Sequence, residues 1–492
     1  MTLQDVNIGY SFARIASAHP ELDAIIAPDL KLNYAKLWRI ARGFAVRMQG
    51  LGIDRNSTVA VHTTDMIAAV ASMLAAALLG ARYATLESGL IESGAVLPTH
   101  FLRSPEVTPL PDIPYKVMDG TWPMGASANT ELNEGEFPGY ANPEDPWWFL
   151  QTSGTTGTPK YLIISQRAVH DRSLAVRSDF QPLETIFCPL FPCHTRPFFV
   201  RATAALLNAC TIVDSRDFAF MQSCGVNLVC GAPFTAMEWL ADRVISPKIR
   251  LLQVSGAKLP DRDAAILLRS FESVEDVYGS SETNKAFVNV ISQGHSGIAK
   301  TGSPQDSQVE IIDEKGKACL PNVKGTIRIH NGYMASEYIG MPEASAKVFR
   351  NGWFYPGDIG HWGSAGELHV SGRNDEIINL GGSKIDPASV EKVLCSVPGI
   401  AAAACFRDPV ELPPPRLMAV LTLLAGYDAN ASVHTAYRKC HEQFGEALSP
   451  HIIYVVPSIP LTKDGTPNRS ACQRMTSAFN RPTPVTIPQE ET

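Results

Sequence analysis

The stretch Tyr34–Leu86, YAKLWRIARGFAVRMQGLGIDRNSTVAVHTTDMIAAVASMLAAALLGARYATL, decides the fold class. In its first part Leu37, Ile40, Ala41, Phe44, Ala45 and Met48 recur at helical spacing and make one apolar face. Gly50 and Gly52 end that helix, and Thr58-Val-Ala-Val-His62 follows as a short strand. The apolar run Met66–Leu79 reads as a second helix, buried rather than spanning a bilayer, for which it is too short. After Gly80 comes a second strand, Arg82-Tyr-Ala-Thr-Leu86. Helix, strand, helix and strand in this order predict an α/β architecture with a largely parallel sheet.

Composition bounds what surrounds this stretch. A chain of 492 residues is too long for one hydrophobic core and should form at least two domains. Hydrophobic residues at 45% and charged residues at 18% give the balance of a globular protein. The net charge of -7, with no basic stripe carrying interleaved aromatics, argues against nucleic acid or an anionic membrane as the main partner. The ten cysteines are scattered without a CxxC pair. Cys188, Cys193 and His194 lie close together, but CxxxxCH is weak evidence for zinc, and buried thiols in a reducing cytoplasm are the expected reading. The N-terminus has no basic region followed by an apolar one, so a cytoplasmic location is expected.

Further along, residues 92 to 145 are rich in Pro, Gly, Asn and Ser and read as surface connection. The strand Trp147-Trp-Phe-Leu150 then leads into a Gly/Thr/Ser loop, and residues 200 to 290 alternate helix and strand again. Between 308 and 372 short strands such as Val309–Ile312 and Thr326–His330 alternate with Gly and Pro turns, as in a small β-rich subdomain. After Asp375 a compact α/β segment is expected, with a helix at Pro387–Cys395, and a frayed tail from about Arg481.

The strongest local chemical signal is Thr152-Ser-Gly-Thr-Thr-Gly-Thr-Pro-Lys160. Its glycines let backbone approach an anion, its hydroxyl and N–H groups are donors, and its lysine adds charge. It is not the GxxxxGK[ST] phosphate loop, and alone it reads equally as a phosphate cradle or a plain turn. Downstream stand Tyr278-Gly-Ser-Ser-Glu282, Tyr355-Pro-Gly-Asp358, Ser371-Gly-Arg-Asn-Asp375 and Gly381-Gly-Ser-Lys-Ile385. With the Thr152–Lys160 loop these resemble the ordered motifs of the adenylate-forming superfamily: acyl- and aryl-CoA synthetases, peptide-synthetase adenylation domains and firefly-type luciferases. The resemblance extends through LNYAKLWRIARGFAVRMQGLGI and GYMASEYIGMPEASAKVFRNGWFYPGDIG and so covers nearly the whole chain.

The resemblance implies a large N-terminal α/β domain with a β-rich subdomain, residues 1–374, and a small mobile C-terminal α/β domain, residues 375–480, before the tail at 481–492. It implies an ATP-dependent ligase that forms an acyl-AMP from a small carboxylic acid and passes the acyl group to CoA or to the phosphopantetheine of an acyl carrier protein. Thr152, Ser153, Gly154, Thr155, Thr156, Gly157 and Lys160 would hold the β/γ-phosphates. Tyr278 would stack beside adenine, with Gly256 and Ala257 as the other wall and Ser281 nearby. Glu282 would help hold Mg²⁺, which prefers carboxylate and phosphate oxygens. Asp358 and Arg373 would bind the ribose hydroxyls. His194, Phe198 and Ala232 would line the acid pocket, Asp375 would be the hinge, and Gly381 and Gly382 would leave room for the thiol arm.

One position departs from the pattern. Pro460-Leu-Thr-Lys-Asp-Gly-Thr466-Pro-Asn-Arg469 resembles the family's PLTxxGKxxR, but Thr466 stands where a lysine bridges the carboxylate and the α-phosphate. Adenylation is then weak, or another cation substitutes, Lys463 being nearest, or the chain is an adenylation-deficient binding protein.

Overall fold

The computed structural model describes residues 6–85, 96–122, 136–152, 160–241, 243–294, 297–376, 378–380, 383–408, 415–461, 467–476 and 484–485. Two compact units divide the chain: Met1–Val309 with Ile329–Phe354, and Glu310–Arg328 with Tyr355–Thr492.

Asp65 opens the helix around which the first unit packs, accepting hydrogen bonds from the Ile67 and Ala68 N–H groups. That helix spans Met66–Leu79, as its sequence predicts, and all of it except Ile67 is buried. Gly80 closes it at φ 70°, where a Cβ would meet the Gly139 carbonyl oxygen at 2.1 Å. The helices Ile8–Ala18 and Tyr34–Gly50 pack on it, and one apolar core joins them to residues of two sheets, among them Ile25, Val59, Tyr83, Trp147, Trp148 and Ile212.

The larger sheet of this unit has nine strands, in the order 297–304, 284–294, 271–280, 249–255, 228–231, 186–189, 211–213, 23–27 and 30–33. The strands from 271–280 to 23–27 all run parallel, with antiparallel strands on both flanks. The second sheet, in the order 115–117, 100–103, 58–62, 82–85, 146–152 and 160–165, is parallel except for its last pair. Parallel strands need helical crossovers, which is why the helix–strand alternation of the sequence was diagnostic.

The expectation that residues 92–145 only connect elements is corrected. His100–Arg103 and Tyr115–Val117 extend the second sheet, and Met118, Trp122 and Phe137 enter the main core. Strands this short carry no readable period; His100–Arg103 pairs with Thr58–His62, some forty positions earlier in the chain, and Tyr115–Val117 adds to the outer side of His100–Arg103.

In the second unit, Asp358–Trp362 and Leu368–Arg373 form an antiparallel pair, followed by a 3₁₀ turn at Asn374–Glu376 and a hairpin of Ile378–Leu380 with Ser383–Ile385. The predicted helix Pro387–Cys395 is present and packs on Ile400–Arg407. That strand heads a sheet continued by Leu417–Leu423, Pro450–Val455 and Pro484–Val485. The last of these lies in the segment expected to fray, and pairs with Ile453 and Tyr454. Among the described residues, no helix is long and apolar enough to cross a membrane.

Candidate active site

Strand register gathers scattered sequence signals in the first unit. Gly231 stands beside Val254, and Ser255 beside Val277, so neighbouring parallel strands end at one level. Just past those ends come Ala232, then Gly256 with Ala257, and beside them Tyr278; Gly256 is exposed and the other three partly so. This is the edge of a parallel sheet where ligands bind in open α/β folds. Gly256 has φ 93° and no atom within 4 Å of a Cβ position, leaving that flank open.

Beyond Tyr278 the strand kinks. Its register shifts between Tyr278 and Gly279, where a Cβ would lie 2.0 Å from the Asn284 carbonyl oxygen, so only glycine fits. The following turn is tied down by Arg172, which is 1% exposed. Its Nη1 and Nη2 donate to the Ser281 and Glu282 carbonyls at 3.0 and 2.9 Å, and its Nε to the Tyr333 carbonyl at 3.1 Å. Burial, and secondarily the Arg196 charge, bring the Arg172 pKa down to about 9. Asn331 adds a hydrogen bond to the Thr283 carbonyl at 2.9 Å.

This scaffold holds Glu282, only 6% exposed, with Oε1 accepting the Tyr338 hydroxyl at 2.7 Å. Lys160 Nζ lies 5.1 Å from the centre of the Tyr338 ring. Thr152 and Lys160 are opposite one another in the antiparallel pair of strands that brackets the Thr–Gly loop. Residues Ser153, Gly154, Thr155, Thr156 and Gly157 lie outside the described residues, as do Gly381, Gly382, Lys463 and Thr466.

His194 is half-buried ahead of the helix Arg196–Leu207, and burial, with the neighbouring His194 second, holds the His62 imidazole below the usual histidine range. Phe198 is fully buried and packs edge-on against Phe199. Cys188 and Cys193 are buried thiols whose pKa values burial raises to about 12, and all ten cysteines are unpaired.

In the second unit Asp358 and Arg373 face each other across the antiparallel pair, with Nη1 and Oδ1 3.6 Å apart. Asp375 sits in the 3₁₀ turn, whose neighbour Glu376 accepts from Arg469 Nη1 at 2.6 Å. Arg469 also meets Glu391 through Nε and Nη2 at 2.9 and 2.8 Å, and these carboxylates push its pKa up.

Among the described residues, no group of three or more His, Cys, Asp and Glu side chains could hold a metal by itself. A single buried carboxylate with one oxygen already oriented suits Mg²⁺, which takes one or two protein carboxylates and fills its shell with phosphate oxygens and water. Sequence reading passed over Tyr338, Arg172, Arg196 and Arg201. Tyr338 lies within the quoted GYMASEY segment, and Arg201 interrupts the otherwise uncharged run FFVRATAAL, a signal that was readable.

A family model for AMP-binding enzymes matches residues 12–95 and 105–339, and one for the AMP-binding enzyme C-terminal domain matches residues 389–466. The chain belongs to the AMP-binding enzyme family. It is 26% identical over 366 residues to a probable CoA ligase of Humulus lupulus, covering 70% of this chain and 69% of that protein. It is also 26% identical over 343 residues to an oxalate–CoA ligase of Arabidopsis thaliana, covering 66% of each. The o-succinylbenzoate CoA synthetase of Bacillus subtilis, solved with its acyl-adenylate intermediate, has the same fold, with a TM-score of 0.80 at 20% identity over 94% of this chain and 97% of that one.

Proposed function

We propose that this AMP-binding enzyme is an ATP-dependent acid–thiol ligase that makes an acyl-AMP from a carboxylic acid and transfers the acyl group to CoA. The observation that carries the reading is the turn Ser281–Asn284, three positions past Tyr278, whose buried carboxylate at Glu282 accepts from Tyr338, the ring over which Lys160 lies.

In this reading adenine lies between the Tyr278 ring and the Gly256–Ala257 backbone, while Thr152, the loop after it and Lys160 hold the phosphates. Mg²⁺, when bound by Glu282 and phosphate oxygens, offsets negative charge on the triphosphate. His194 and Ala232 border the acid, with Phe198 behind them. Asp358 accepts from the ribose hydroxyls, and Arg373 binds the same sugar. The acid's carboxylate attacks the α-phosphate, pyrophosphate leaves, and a thiol displaces AMP. No protein nucleophile is needed, so the residues act by positioning and charge. The pivot between the half-reactions is Asp375, with a boundary at 374/375, and Gly381 and Gly382 flank the thiol arm.

The test is acid-dependent ATP–pyrophosphate exchange over aryl, short-chain and long-chain acids, followed by discharge of the acyl-AMP with CoA. Exchange without discharge by CoA, but with discharge by a phosphopantetheinylated carrier protein, selects the carrier ligase. Nucleotide binding without exchange for any acid selects the adenylation-deficient protein that Thr466 brings to mind.

A further inference from the structure

The helix Arg196–Leu207 carries two arginines whose surroundings bear on the kind of acid used, an inference that rests on the ligase reading above. Nine of its twelve residues are buried, and Arg201, 7% exposed, is the only charged one among them. A guanidinium has five N–H donors and keeps its charge, so burying one calls for acceptors or an anion. Arg172 shows what a structural arginine looks like here: three main-chain carbonyls at 2.9 to 3.1 Å.

Arg201 is different. Nη1 reaches the Pro197 carbonyl and Nη2 the Ser255 Oγ, each at a long 3.4 Å, and the buried Nε has no acceptor among the described residues. Its guanidinium carbon lies 5.3 Å from the centre of the Phe191 ring, which offers a face but no anion. Arg196, five positions earlier, donates to the Asn284 Oδ1 at 3.3 Å, its one hydrogen bond among the described residues. Neither arginine forms an ion pair among the described residues. The two charges also act on each other: burial, then Arg201, lowers the Arg196 pKa to about 10, and the Glu282 carboxylate offsets only part of that.

Their anchors place them at the site. Ser255 immediately precedes Gly256 at the strand end, and Asn284 follows Glu282 by two positions on the tied-down turn. Two cations are thus held between the proposed nucleotide wall and the proposed metal carboxylate, on the helix that His194 leads into. A planar guanidinium matches a carboxylate or sulfonate through paired N–H donors. The reacting carboxylate loses its charge on adenylation, so it cannot be the lasting counter-ion for the buried Arg201 and the half-buried Arg196. A second anionic group on the same acid keeps its charge through both half-reactions.

We propose that Arg196 and Arg201 bind a second anionic group of the acid, so that this enzyme selects a dicarboxylic or sulfonated carboxylic acid over one bearing a single charge. The experiment is ATP–pyrophosphate exchange by the full chain with matched pairs: α,ω-dicarboxylic acids and their monomethyl esters of the same length, aliphatic and aromatic. Sulfocarboxylic acids form a third arm that separates the two anion chemistries. The diacid should exceed its monoester in kcat/KM on the order of 10²-fold, the scale of a desolvated charge pair. Arg201→Met and Arg196→Met should each bring that ratio toward one, chiefly through KM for the acid, and Arg201→Lys should recover part of it. Because Arg201→Met removes a buried charge held by two long hydrogen bonds and no ion pair among the described residues, its Tm should hold or rise, and the Tm increase produced by diacid should shrink. Equal use of diacid and monoester overturns the proposal. So does a variant effect confined to KM for ATP, which assigns the arginines to phosphate, or a fall in Tm with equal loss for both acids, which makes them structural. If no acid supports exchange, the ligase reading fails, and a diacid-specific Tm shift lost in Arg201→Met still decides whether the anion site exists.

Discussion

Tyr338 donates its hydroxyl hydrogen to Glu282 Oε1 at 2.7 Å, across 56 residues of chain. The same ring lies under the Lys160 ammonium, so one tyrosine joins the strand pair that brackets the Thr–Gly loop to the carboxylate proposed for Mg²⁺. A hydrogen bond to a charged group contributes roughly 1.5–3 kcal/mol. Tyr338→Phe should therefore lower kcat/KM for ATP by about tenfold and raise the Mg²⁺ concentration needed for half-maximal pyrophosphate exchange. An unchanged Mg²⁺ dependence would reduce Tyr338 to a packing role.

Glu282→Ala should abolish acid-dependent pyrophosphate release and leave the protein folded. The fold survives because Arg172 grips the carbonyl of residue 282 and not its side chain. Circular dichroism and a thermal melt check the fold; turnover at the wild-type rate would remove Glu282 from the metal site.

Arg172→Met tests the scaffold itself. It strips the donor from three carbonyls, of which each one left buried and unpaired costs roughly 1–3 kcal/mol. The thermal midpoint should fall by several degrees and exchange activity should fall with it, in contrast to the behaviour expected of Arg201→Met.

The turn Asn374–Glu376 is held at both ends, by the Asn374 N–H donating to the Gly357 carbonyl at 2.6 Å and by Arg469 on Glu376. If Asp375 is the pivot, Asp375→Pro, which restricts φ, should slow thioester formation more than acyl-AMP formation. Single-turnover measurement of each half-reaction decides it, and equal losses would place the pivot elsewhere.

Thr466 and Lys463 separate a weakened enzyme from a rewired one. A well-aimed charge in a water-poor site is worth ~3–4 kcal/mol, or roughly 10²–10³ in rate. Where that charge is missing, Thr466→Lys should accelerate acyl-AMP formation and leave the thiol step alone. Where Lys463 has taken over, Lys463→Ala should collapse adenylation and Thr466→Lys should change little. No effect of either, with fast wild-type adenylation, means that this loop supplies no needed lysine.

The sequence by itself determined the elements whose signals are local: the helices Met66–Leu79 and Pro387–Cys395 and the strand Thr58–His62 each stand where the sequence places them. It also determined the family, because five motifs in order form a pattern that needs no geometry to be recognised. Tertiary structure alone decided that residues 92–145 contribute strands and core aromatics, since pairing of three- and four-residue strands depends on partners far along the chain. It alone decided that Tyr338 orients Glu282, that Arg172 is satisfied by three carbonyls and that Arg201 is not. The reason is physical. A buried polar group is defined by which acceptors reach it, and those acceptors are delivered by strands and turns up to 161 residues away, a distance that no local period records.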